Sequence, residues 1–125
     1  MANFQQVTPF LHVPDLDEGI RFFTELLGFT LHVRKPDFAY VHRETVGFRL
    51  MTRCEEDGPM PARSGFTYYI DIESMDDLLT ELGPKLHTLP PPDVYGPVDQ
   101  DGQRELMIRT PDRHLLVLGQ QIRKD

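Results

Sequence analysis

The feature that most constrains this chain is an order of elements that runs through twice. Phe10-Leu11-His12-Val13 reads as a strand ended by Pro14. Asp15 then opens a helix, with Glu18 three residues on as in a capping box. Leu16, Ile20, Phe23 and Leu27 recur at helical spacing as one apolar stripe, and Gly28 stops it. Three strands are expected next, over Phe29–Val33, Phe38–His42 and Val46–Met51, parted by Lys35-Pro36-Asp37 and Glu44-Thr45 turns. Cys54–Ser64, with Gly58, Pro59, Pro61 and its charges, reads as a linker.

The order then returns. Phe66–Ile72 is an expected strand, and Ser74 with Asp77 caps a helix carrying Leu78, Leu79 and Leu82 until Gly83. Lys85–Leu89, Glu105–Arg109 and His114–Leu118 are expected strands, with Pro90-Pro91-Pro92 a break and Thr110–Arg113 a turn. Thr24-Glu25-Leu26 even recurs as Thr80-Glu81-Leu82 at the same helical place. The expected fold class is therefore α+β: tandem βαβββ repeats forming curled mixed sheets, helices on the outer face, and a concave cup. One half alone would expose too much apolar surface, so the halves are expected to pair as a single domain over 1–125. Its modules span 5–53 and 66–120, with 54–65 as linker. That linker is long enough for pairing within a chain or exchange between chains.

Composition narrows the partners. No stretch approaches the roughly 20 apolar residues of a membrane helix, and Met1-Ala2-Asn3-Phe4 shows no secretion signal. Cys54 is the single cysteine, which suggests a reducing, cytoplasmic setting. The acids that follow it blunt its thiol. A net charge of −7 argues against nucleic acid and favours a cationic or neutral organic ligand, or serves solubility alone.

At the level of motifs the chain resembles the vicinal oxygen chelate superfamily of glyoxalases, bleomycin-resistance proteins and extradiol dioxygenases. The resemblance rests on Phe10–Leu16, Phe22-Phe23, Leu26–Phe29, Gly102–Glu105 and Thr110–His114. Thr110 and Arg113 replace the Asp and Gly usual in the last of these. Asp37-Phe38-Ala39, Gly47–Leu50, Tyr69–Ile72 and Gly96-Pro97-Val98 follow the bleomycin-resistance pattern most closely. Those proteins bind a drug without transforming it, between two subunits, so the resemblance implies a homodimer.

The resemblance also implies where a divalent cation would sit in the superfamily's enzymes: His or Gln on the first strand of each half, Glu on the last. Those places fall at Thr8 and Thr67, and near Leu50 and Val117. Neither threonine nor an aliphatic side chain supplies such a ligand set. No metal and no cofactor are expected.

The candidate ligand surface follows from strand alternation. Phe10 and His12 share one face of the first strand, with Thr8 before them; Phe38, Tyr40 and His42 share one face of theirs. Aromatic walls suit flat organic molecules. Arg49, between Phe48 and Leu50, defaults to a solvated face, and if turned inward would clamp an anionic group. Tyr68 and Tyr69 fall on opposite faces; Tyr95 with Gly96-Pro97 reads as a lid or spacer. His114 reads as structural. The favoured function is metal-independent binding of a small molecule, of drug or antibiotic type, without catalysis. The alternative is a metal-dependent lyase, isomerase or dioxygenase with a non-standard site at His12 and His42. A third reading is a regulatory partner domain with a shallow cup.

Overall fold

The computed structural model describes residues 3, 5–52 and 66–122. Cys54 and the expected linker lie outside the described residues. The chain divides into two compact units, Met1–Pro59 and Met60–Asp125.

In the first unit, β1 (Phe10–Val13) leads to α1 (Leu16–Arg21), then to β2 (Thr30–Lys35), β3 (Phe38–Arg43) and β4 (Val46–Thr52). The sheet order is β1-β4-β3-β2, with β1 parallel to β4 and the other pairs antiparallel. Asp15 caps α1 as expected: its carboxylate accepts the Glu18 N–H at 3.2 Å. The helix does not run on as α-helix to Leu27. Phe22–Leu26 widen into a π-turn, in which Leu27 N–H reaches Phe22 O at 3.3 Å. Arg43 then donates to the end carbonyl of Leu27 at 2.8 Å, satisfying a group that a helix end leaves orphaned. The turn swings Phe22 and Phe23 inward, where Phe23 meets Phe29 and Phe48 with ring centroids 5.2 Å apart in each case. Phe23 and Phe48 are almost fully buried, each stabilising the unit by about 1.5–3 kcal/mol.

The second unit repeats the plan. It comprises β5 (Thr67–Asp71), α2 (Met75–Leu86), β6 (Val94–Gln100), β7 (Gln103–Arg109) and β8 (Leu115–Gln121), in the order β5-β8-β7-β6. Ser74 caps α2 by accepting the Asp77 N–H at 3.1 Å. Met75 N–H donates to Gln120 Oε1 at 2.7 Å, tying the start of the helix to β8.

Two expectations fail here. Lys85–Leu89 is not a strand: α2 passes through Gly83 and Pro84 to Leu86, because Leu82 and Leu86 continue its apolar spacing. The strand in that place is β6. Tyr95-Gly96-Pro97 lies inside β6, not in a lid, at a bulge between Tyr95 and Val98. Gly96 is obligatory there. Its φ is +103°, and a Cβ would stand 2.6 Å from the Glu105 carbonyl oxygen.

Candidate functional site

Strand register decides which side chains share a face. In the first unit Leu11, Ala39, Val41, Phe48 and Leu50 point toward the helix and are buried. The intervening residues point the other way. On this open face Arg49 lies between Phe10 on β1 and Tyr40 on β3, and Met51 lies between His12 and Phe38. His42 stands beside Gly47. All six candidates, Phe10, His12, Phe38, Tyr40, His42 and Arg49, thus stand on one face of one sheet.

The centre of that face is Arg49. Its guanidinium lies 5.3 Å from the Tyr40 ring centroid, 5.8 Å from Phe10 and 6.0 Å from Phe38, within cation–π range of all three. Arg49 is therefore half-buried among rings and not on a solvated outer face. Tyr40 stacks with His42 at 6.0 Å. It leans over Gly47, where a Cβ would stand 2.7 Å from the phenol oxygen. Glycine on β4 is what lets the ring lie down.

His32 joins this group and was not legible in the sequence. β2 changes register between Leu31 and Val33, which brings His32 edge-on to Tyr40 at 5.8 Å and to His42 at 5.7 Å. His12 and His42, by contrast, do not meet. They lie toward opposite ends of the face, since His12 is level with Phe38 and four residues of strand separate Phe38 from His42, roughly 13 Å.

The fit to a metal can be tested on these positions. Leu50 points into the core, so the open-face residues of β4 are Arg49 and Met51, a cation and a thioether. Thr8 precedes β1, its hydroxyl accepting from Gln6 at 2.9 Å, and Thr67 is exposed on β5. Val117 is aliphatic and lies beside Tyr69 and Met107. Among the described residues no group of three or more His, Cys, Asp or Glu side chains converges to hold an ion. These residues do not fit a superfamily metal centre.

The open face of the second unit has a different character. Tyr69 lies over Gly119, and its hydroxyl donates to Gln103 Oε1 at 3.3 Å. Glu105 is buried beside them and accepts from Gln100 Nε2 at 3.0 Å. Tyr69 is 45% exposed overall, and its hydroxyl lies over Gly119, the register partner of the buried Glu105. Desolvation first, and the Glu105 carboxylate second, push its phenol up to about 12. Tyr68 takes the opposite face, as parity required. It lies near His114, and burial followed by Asp112 raises its phenol.

His114 is structural, as expected. It is 3% exposed, and its Nδ1 accepts the Phe66 N–H at 3.0 Å. Thr110 accepts the His114 N–H at 3.0 Å and donates to Asp112 through its hydroxyl. Asp112 Oδ2 faces His114 Nε2 at 3.3 Å without the alignment of a hydrogen bond. Burial drives the Asp112 carboxyl above the usual range, against the pull of Thr110 and His114.

Residues 4–118 match the family model of the glyoxalase/bleomycin resistance protein/dioxygenase superfamily. The chain belongs to this superfamily. Among solved structures, the bleomycin resistance determinant encoded on transposon Tn5 superposes with a TM-score of 0.77 at 22% identity, covering 94% of this chain and 98% of that one. The bleomycin-binding protein of Streptomyces verticillus, complexed with copper(II)-bleomycin, gives 0.66 at 19% identity, covering 94% and 97%. Lactoylglutathione lyase from Agrobacterium tumefaciens gives 0.70 at 16% identity, covering 95% and 96%. At these identities the likeness establishes the fold. No curated protein matches the chain. Among the described residues no helix is long and apolar enough to cross a membrane.

Proposed function

We propose that this protein binds a small organic molecule bearing a flat ring, without a metal and without transforming it, on the open face of its first unit. The observation that carries the reading is the placement of Phe10, Phe38 and Tyr40 around Arg49 on the face that does not form the core. Rings kept out of a core and half open to solvent are matched to a ligand better than to packing. The neighbours that bind bleomycin favour a drug-like or antibiotic ligand, and a homodimer in the cytoplasm belongs to the same proposal.

A cationic ligand, suggested by the net charge, has no local support on this face. The carboxylates of the described first unit sit on α1 and its flanks (Asp15, Asp17, Glu18, Glu25) and in the hairpin turns (Asp37, Glu44). The metal-dependent lyase reading is favoured by one structural neighbour. It loses its proposed site, because His12 and His42 are too far apart along the face to share an ion.

Equilibrium titration of chelator-treated protein with a panel of bicyclic aromatic compounds tests the proposal. Saturable binding that weakens at least tenfold in both Phe38→Ala and Tyr40→Ala is expected. Binding indifferent to both substitutions would place the ligand elsewhere and sink the reading.

A further inference from the structure

Resting on that binding reading, we infer that the ligand is an aromatic anion, whose carboxylate is taken by the Arg49 guanidinium. The chain as a whole is acidic, but the local inventory has the opposite sign.

Arg49 is half-buried, and among the described residues no carboxylate pairs with it and no carbonyl accepts from it. Other arginines of the chain are engaged. Arg34 pairs with Asp17 at 2.7 Å, Arg104 pairs with Asp99 at 2.8 Å, and Arg43 and Arg109 donate to carbonyls. The three rings around Arg49 stabilise its positive charge, yet they offer no in-plane acceptor for its five N–H donors. A planar, two-oxygen anion is the acceptor that geometry lacks.

The same rings argue against a cation. An aromatic cage binds an ammonium by surrounding it, and here the cage already surrounds a guanidinium. A cationic ligand would have to displace a like charge from those rings. The remaining polar groups on this face carry no fixed negative charge: His12, His32 and His42, Thr30 opposite His42, and Lys35 opposite Phe38. An aryl group stacked on Phe38 or Tyr40, with its acid group on Arg49, satisfies both halves of the site at once.

Three compounds of one shape separate the alternatives: 2-naphthoate, uncharged 2-naphthamide and cationic 2-naphthylmethylammonium. They are titrated by calorimetry into the full chain and into Arg49→Met, which keeps the length and apolar contact of the side chain. The wild type is expected to bind 2-naphthoate at least tenfold more tightly than the amide, and the ammonium most weakly. Arg49→Met is expected to remove the anion preference while leaving the amide within threefold. Arg49→Lys should restore part of it, since charge returns without the fork. Equal binding of acid and amide, tightest binding of the ammonium, or an anion preference that survives in Arg49→Met would overturn the inference and leave ring binding standing. No saturable binding of any of the three would overturn both. If Arg49→Met does not fold, the wild-type ranking of the three compounds decides alone.

Discussion

Replacing Gly119 by alanine would expel Tyr69 from its place on the second unit's open face. A Cβ built on Gly119 stands 1.9 Å from the Tyr69 oxygen, 2.5 Å from Cζ and 2.9 Å from Cε1. Ordinary contact begins at 3.4 Å, so the hydroxyl must retreat by at least 3.4 − 1.9 = 1.5 Å. It thereby loses the bond to Gln103. Losing that bond costs roughly 0.5–1.5 kcal/mol, while alanine restricts the unfolded chain and returns about 0.4–1 kcal/mol. The net change in stability is therefore small, about 1 kcal/mol or less. The large effect is on the phenol. Moved away from the surface of β8 and from Glu105, the phenol should fall in pKa from about 12 toward the ordinary 10.0. At pH 11 that is a change from roughly one-tenth to nine-tenths ionised. Tyrosine Cζ chemical shifts followed from pH 9 to 11.5 read this directly, with Tyr69→Phe assigning the resonance. Glu105→Gln should move it part of the way. A phenol that stays late-titrating in Gly119→Ala, or a late-titrating phenol that survives Tyr69→Phe, would refute the placement of Tyr69 over Gly119.

Gly96→Ala combines a left-handed φ with a clash against the backbone oxygen of Glu105. It should cost about 2–4 kcal/mol in urea unfolding, and a loss below 1 kcal/mol would show that the bulge in β6 is not built this way. Asp112 has a raised carboxyl pKa in the folded state. Its contribution to stability is thus fully present below the unfolded value, near pH 4, and is lost as pH rises through the folded value. Asp112→Asn keeps an oxygen for Thr110 and should lack that downward slope when melting is followed from pH 4 to 7; slopes matching the wild type would exclude a raised Asp112.

Much of the first unit's face was legible because a strand's alternation is a strict period of two. Phe10 with His12, and Phe38 with Tyr40 and His42, could be grouped from spacing alone. The grouping of Arg49 with them required the parallel pairing of β1 with β4, which spacing does not contain. A place near Leu50 is as close as motif resemblance comes on β4; Leu50 itself is buried, and a single step of register turns a side chain from one face to the other. His32 was hidden by the bulge in β2. β6 was hidden by Gly96-Pro97, a pair that normally marks a turn but here sits within a bulged strand. The end of α2 was missed for a related reason. Gly83 has open space around it and Pro84 falls near the helix end, so neither residue had to stop the helix where local rules place a stop. The place of Glu105 beside Tyr69 and Gly119 is not legible in the sequence, because it arises only when β5, β8 and β7 are aligned.

The measurement that bears most directly on ligand binding without a metal is the dissociation constant of 2-naphthoate for exhaustively chelated protein, compared with the same protein after addition of one equivalent of zinc, manganese or nickel. If Arg49 and its rings alone hold the ligand, the constant stays the same within threefold in all cases. Binding that appears only with an ion, or strengthens tenfold or more with one, would contradict it.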